Sequence, residues 1–180
     1  MRIVSGKYRG KVLKEFELSS TRPTTDRVKE SIFNLIQFDV ADSIVLDLFA
    51  GTGALGIEAI SRGAKKVYLV DKNPQAIKLI KENLKCIEGD YCVHQEDYIT
   101  FLKKVKCKFD IILLDPPYKT DYGIKAIDLL LEKRLLAEDA IIIFETSEEN
   151  NFEINIIGFK TTKKKYGKII VFKMERINEI

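Results

Sequence analysis

Ile44-Val45-Leu46-Asp47-Leu48-Phe49-Ala50-Gly51-Thr52-Gly53-Ala54-Leu55-Gly56-Ile57-Glu58 is an apolar run that closes on a glycine-rich turn and passes directly into a helical pattern. It reads as a strand, a ligand-binding loop and the N-terminus of a helix. The three glycines fit G-x-G-x-x-G, in which one makes the tight turn, one lets the backbone approach a ligand and one lets helix and strand pack closely. Such a loop implies a nucleotide-like ligand without saying which one.

Outward from this stretch, strands and helices alternate, as expected of parallel strands joined by helical crossovers. Residues 66–70, 91–94, 109–114 and 140–145 read as further strands. Helical patterns fill 54–62, the stretch opened by Asn73-Pro74, residues 98–104, and the run carrying Ile124, Ile127, Leu130 and Leu131. The end differs: 153–160 and 168–173 read as two β-segments around Lys163-Lys164-Lys165-Tyr166-Gly167, joined directly, so at least one late strand should be antiparallel. Ahead of residue 44, short strands at 2–4 and 11–13 suggest a basic β-hairpin or arm within residues 1–20. Thr24 or Thr25 would cap a helix running to about Gln37, with Val28, Ile32, Leu35 and Ile36 on one face. The fold class is therefore α/β and Rossmann-like, with the main domain over 21–180.

The 180 residues suit one domain, and 46% hydrophobic with 32% charged residues describes a soluble globular chain. No window reaches the ~20 apolar residues of a membrane span, and the first residues lack a signal-peptide core, so a cytoplasmic location is expected. Cys86, Cys92 and Cys107 are odd in number and lack C-x-x-C spacing, and His94 is the lone histidine. Neither a disulfide framework nor a metal centre is suggested, and no metal is expected. The net charge of +3 is uneven. Residues 1–22 hold Arg2, Lys7, Arg9, Lys11, Lys14 and Arg22 against Glu15 and Glu17, and a second basic run holds Lys160, Lys163, Lys164, Lys165 and Lys168. Each run alone suits a solvated face; together with a nucleotide loop they favour a polyanionic partner.

In an open parallel sheet, ligands bind beyond the carboxyl ends of the strands. That edge gathers Asp47, Asp71, Asp97 and Asp115-Pro116-Pro117-Tyr118. An acid at a strand end is also a common cap, and for Asp97 both readings stand. Asp71 lies 20 residues beyond Gly51, where an acid accepts hydrogen bonds from ribose hydroxyls. Asp115-Pro116-Pro117-Tyr118 is a rigid turn, because each proline fixes its own φ and restricts the residue before it. It also mounts an acid and an aromatic ring at the mouth of a nucleotide site. The Asp115 carboxylate and Pro116 carbonyl can accept from an exocyclic amine while Tyr118 stacks on the base.

The segment from Asp47 to Gly56 resembles motif I of S-adenosylmethionine-dependent methyltransferases, and Asp115-Pro116-Pro117-Tyr118 resembles the (D/N)PPY motif of their amino-methylating branch. With Arg22-Pro23-Thr24-Thr25-Asp26-Arg27-Val28-Lys29-Glu30-Ser31-Ile32-Phe33-Asn34 and the opening Arg2-Ile3-Val4-Ser5-Gly6-Lys7-Tyr8-Arg9-Gly10, the chain resembles the RsmD family, which methylates N2 of a guanine in 16S rRNA. The resemblance implies a seven-stranded methyltransferase sheet whose last hairpin supplies the antiparallel strand. It implies that the loop of Gly51, Thr52, Gly53 and Gly56 cradles the methionine part of S-adenosylmethionine, Asp71 its ribose and Asp97 its adenine amine. Asp47, Phe49, Ala50, Lys72 and Tyr98 join these as expected cofactor contacts. Arg22 and Thr25 belong to a segment expected to close over the site, or else simply to enter a helix. Catalysis would fall to Asp115, Pro116, Pro117 and Tyr118. Arg2, Lys7, Arg9, Lys11 and Arg27 would hold 16S rRNA or an assembling small ribosomal subunit. Rival readings are amino-methylation of another base, a nicotinamide-dependent dehydrogenase using the same glycine loop, and a non-catalytic RNA-binding module; the last two leave the Asp-Pro-Pro-Tyr turn without a use.

Overall fold

Strand β1 (Ile44–Asp47) pairs in parallel on both sides, with β2 (Lys66–Asp71) on one flank and β4 (Phe109–Leu114) on the other. The chain steps outward from β1 through β2 to β3 (Tyr91–Gln95), then returns to β4 and continues through β5 (Leu136–Ser147). Beyond β5 lie β7 (Ile169–Arg176) and, at the edge, β6 (Phe159–Tyr166), so the order is β3-β2-β1-β4-β5-β7-β6. Both pairings of β7 are antiparallel. The reversal of direction at β1 and β4 makes a crevice at their carboxyl ends. This computed structural model describes residues 1–16 and 26–177.

Strand alternation divides the core into two layers. Val45, Ile111, Leu113, Ile141, Ile143 and Val171 face one side, and Leu46, Ile112, Leu114, Ile142, Phe144 and Phe172 the other. Helices α1 (Asp26–Leu35), α2 (Ala54–Ser61) and α3 (Pro74–Leu84) cover the first side through Ile32, Phe33, Ile57, Ile60, Ile77 and Ile80. Helices α4 (Tyr98–Lys104) and α5 (Tyr122–Glu132) cover the second through Phe101, Leu102, Ala126, Ile127 and Leu130. Central strands buried on both faces read as continuous apolar runs, which is why they stand out in the sequence. Asn73 caps α3, its side chain accepting from the Gln75 N–H at 2.9 Å, with Pro74 in the first turn.

Three expectations change. The first helix ends at Leu35 rather than Gln37, and its expected threonine caps lie outside the described residues. The last hairpin is displaced along the chain: the lysine run expected in its loop lies within β6, and 153–158 is not a strand. A two-residue turn at Gly167 and Lys168, with Gly167 at φ +63°, sets Tyr166 opposite Ile169 and so fixes this register. The alternating Phe152, Ile154 and Ile156 instead lie against the second core layer without pairing. Finally, the two short N-terminal strands reduce to one antiparallel bridge, Arg2 to Val12, with Ile3 and Leu13 buried in the first layer.

This N-terminal loop is fastened to α2. The Val4 and Ser5 N–H groups donate to the two oxygens of the buried Glu58 carboxylate at 2.8 and 3.0 Å. Lys29 and Arg62 complete the charge balance around Glu58 at 3.3 and 2.8 Å, and Lys29 Nζ also donates to the Arg2 carbonyl at 2.5 Å. Burial pushes the Lys29 ammonium below its ordinary range, opposed by the Glu58 charge. Gly6 passes so close to α2 that a Cβ there would lie 1.8 Å from the Ser61 carbonyl oxygen.

Candidate active site

Because β1 and β4 are hydrogen-bonded neighbours, the glycine loop that follows one and the Asp-Pro-Pro-Tyr turn that follows the other emerge side by side. A cavity of about 950 Å³ opens there. Asp47, Phe49, Ala50, Gly51 and Thr52 form its wall after β1, Asp71 and Lys72 its wall after β2, and Asp97 and Tyr98 its wall after β3. Asp115, Pro116, Pro117 and Tyr118 line it after β4. Gly53 and Gly56 stand behind the lining: Gly53 is the N-cap of α2 at φ +79°, and a Cβ at Gly56 would meet the Leu69 side chain at 2.8 Å. The fingerprint glycines thus divide their tasks between ligand approach and helix–strand packing. Arg22 and Thr25 lie outside the described residues. Arg2, Lys7, Arg9, Lys11 and Arg27 lie away from the cavity lining.

Two strand-end carboxylates hold the loop in shape. Asp47 is 1% exposed and accepts from the Gly56 N–H at 2.8 Å. Burial pushes its carboxyl up to about 7; the Gly56 hydrogen bond opposes this, and the Asp115 and Asp71 charges add to it. Asp71 accepts from the Gly51 N–H at 2.9 Å with one oxygen and from Asn73 N–H at 2.8 Å with the other. Each oxygen keeps a lone pair for a ligand hydroxyl. At Asp97 the capping role is realised: one oxygen accepts from the Ile99 N–H at 2.9 Å while the residue still lines the cavity.

An aromatic wall faces this polar floor. Phe49 and Tyr98 ring centroids are 5.3 Å apart, Tyr98 and Tyr122 5.5 Å, and Lys72 Nζ lies 5.8 Å from the centre of the Tyr122 ring. Rings in such tilted contact form a firm surface against which a flat heterocycle can lie. The Asp-Pro-Pro-Tyr turn is braced from β5 and the single 3-10 turn after it, Glu148–Asn150. Tyr118 donates its hydroxyl to Glu145 Oε1 at 2.7 Å, and Asn150 Nδ2 donates to the Tyr118 carbonyl and, at 2.8 Å, to Thr146 Oγ1. Glu145 is 1% exposed, so the carboxylate that anchors this ring is itself immobilised.

Sequence reasoning missed Tyr122, Asn150, Lys168 and the N-terminal Met1, Glu15 and Phe16 as cavity residues. It also missed Asn83 on α3, which donates to the Thr52 carbonyl at 2.9 Å and binds the Lys14 backbone through N–H and C=O at 2.8 and 3.1 Å. Nothing local marks these residues, because tertiary packing brings them to the site. His94, on β3, is half-buried against two rings, with centroids 6.1 Å from Tyr68 and 5.0 Å from Phe101. No cluster of His, Cys, Asp or Glu suited to a metal ion occurs among the described residues, and no helix there is long and apolar enough to cross a membrane.

Comparison with known proteins places this geometry. The family model described as Conserved hypothetical protein 95 matches residues 1–174. The ribosomal RNA small subunit methyltransferase D of Haemophilus influenzae is 38% identical over 154 residues, covering 83% of this chain and 80% of that protein. The protein of the same name from Escherichia coli K12 is 34% identical over 151 residues, covering 83% and 76%. A solved Escherichia coli chain described as a candidate methyltransferase superposes with a TM-score of 0.88 at 30% identity, covering 98% of each chain.

Proposed function

Because this chain belongs to the RsmD family of ribosomal RNA methyltransferases, we propose that it transfers a methyl group from S-adenosylmethionine to the exocyclic N2 amine of a guanine in 16S small-subunit rRNA. The observation that carries the reading is the junction of the glycine loop and the Asp115-Pro116-Pro117-Tyr118 turn in one cavity. When bound, S-adenosylmethionine supplies a methyl group already activated as an electrophile. The residues fit it: the Gly51–Thr52 backbone is open to a ligand, Asp71 has lone pairs for ribose hydroxyls, and Asp97 has a second oxygen for an adenine amine. Phe49, Tyr98 and Tyr122 offer the surface on which the adenine would lie.

The guanine amine is a poor nucleophile because its lone pair is delocalised into the ring. The protein's share is therefore position and electrostatics. Asp115 and the Pro116 carbonyl accept the two amine hydrogens and turn the lone pair toward the methyl group, and Asp115 accepts the proton released after transfer. Two prolines hold both acceptors in place, so little ordering remains to be done when the base arrives. The base must leave its stack to reach them, and the Tyr118 ring replaces that stacking at ~1–3 kcal/mol.

Labelled methyl transfer to small-subunit particles lacking the modification, with the labelled base mapped, tests this reading. Wild type should label a guanine at N2, and Asp115→Ala should abolish transfer while S-adenosylmethionine still binds. Label on adenine or cytosine, or normal turnover by Asp115→Ala, would overturn the assignment.

A further inference from the structure

The direction of β7 has a spatial result that the lysine run alone does not disclose. Since β7 runs antiparallel to β5, with Ser147 opposite Ile169, the turn at Gly167 and Lys168 returns to the edge where β1, β2, β4 and β5 end. Lys168 and Ile169 accordingly line the cavity, and the Lys168 carbonyl accepts from the Glu148 N–H at 2.9 Å, tying the turn to the segment that braces Tyr118. Lys163, Lys164, Lys165 and Lys168 are all exposed. At ~3.3 Å per residue the first three lie within ~13 Å of Gly167 along the strand. Alternation sends Lys164 to the side of α1 and Lys163 and Lys165 to the opposite side, so the charges surround the strand end.

These cations are also less neutralised than those at the N-terminus. Of the five cationic side chains in residues 1–16, Arg2, Lys7 and Lys14 pair with Asp26, Glu88 and Glu82 at 3.5, 2.7 and 2.9 Å, while Arg9 and Lys11 take part in no ion pair among the described residues. In the hairpin, Lys165 pairs with Glu148, whereas among the described residues Lys163, Lys164 and Lys168 take part in no ion pair. Lys163 Nζ instead stands over the Phe172 ring, 5.5 Å from its centre.

Resting on the rRNA reading above, we infer that the turn end of the β6–β7 hairpin, through Lys163, Lys164, Lys165 and Lys168, grips the RNA phosphates flanking the target nucleotide. A phosphate can take the place of Glu148 at Lys165, and the unpaired ammonium groups release counterions when the backbone docks. Lysines on an edge strand also discourage sheet-to-sheet pairing. That role accounts for charge anywhere along β6 and predicts no effect on RNA.

The test is filter binding of 16S rRNA and unmodified small-subunit particles across a salt series, with methyl transfer measured in parallel. Lys163→Gln/Lys164→Gln should reduce the slope of log K against log salt by about 0.7–0.9 per lysine and weaken binding on the order of tenfold at low salt. S-adenosylmethionine affinity and saturated turnover should hold, and Lys163→Arg/Lys164→Arg should restore RNA binding. An unchanged slope in an active protein, with or without increased aggregation of the glutamine variant, would overturn the hairpin assignment alone. A wild type that neither binds nor methylates these RNAs would overturn the functional reading and this one with it.

Discussion

Asp47 keeps its carboxyl where water cannot reach it and relies on one backbone N–H for compensation. In an unfolded chain such a group titrates near 4, whereas here burial raises it to about 7. Between those values the unfolded state loses the proton first, so the contribution of Asp47 to stability falls as pH rises from about 4 to about 7 and is constant above. Asp47→Asn keeps an acceptor for Gly56 and removes the titration. Urea unfolding of both proteins from pH 5 to 8 should show wild type losing ground to the variant up to about pH 7, then a constant difference; a difference independent of pH would refute the raised value. The same residue shows what one position can and cannot disclose. Its place at a strand end ahead of a glycine loop is plain in the sequence, but its depth and its Gly56 contact depend on how α2 packs. Asp97 and Asp71 were legible in the same measure, as acids at strand ends, while the hydrogen bonds they make to their own loops were not.

Elements were legible where burial made them uniform. Strands β1 and β4 are largely apolar on both faces, and β2 is apolar from Val67 to Val70 and closed by Asp71, so neighbouring chain did not blur them. β6 was misread because its lysines look like loop, yet one face of an edge strand is wet and their stems can cover apolar neighbours such as Phe172. The N-terminal loop was legible as a glycine-jointed segment, while its partners, Lys29, Glu58 and Arg62, are scattered over two helices and carry no pattern. Its docking gives a sharp expectation. Gly6 adopts φ +84° and leaves no room beside Ser61, so Gly6→Ala combines a left-handed alanine with a backbone clash. We expect a loss of ~2 kcal/mol or more by denaturant titration. A loss below about 0.5 kcal/mol would show that the loop can lift from α2 at little cost.

At the scale of the molecule, the site is a meeting of segments that follow the five parallel strands β1 to β5 and of the turn that joins β6 to the antiparallel β7. Ligand binding should therefore stabilise the sheet as a unit. S-adenosylmethionine at a hundredfold excess over its Kd should add about 2.7 kcal/mol, or about 5–10 °C in Tm for a chain of this size, whereas NAD should add nothing. Stabilisation by NAD alone would return the glycine loop to a dehydrogenase reading. The fastening of the N-terminal loop also fixes an order of events while the chain is being made. Val4, Ser5 and Tyr8 find their partners at Glu58 and Ser61, more than fifty residues later in synthesis. Until α2 has emerged, Ile3 has no core to enter and the loop no floor to rest on, so these residues must wait for the helix that seats them.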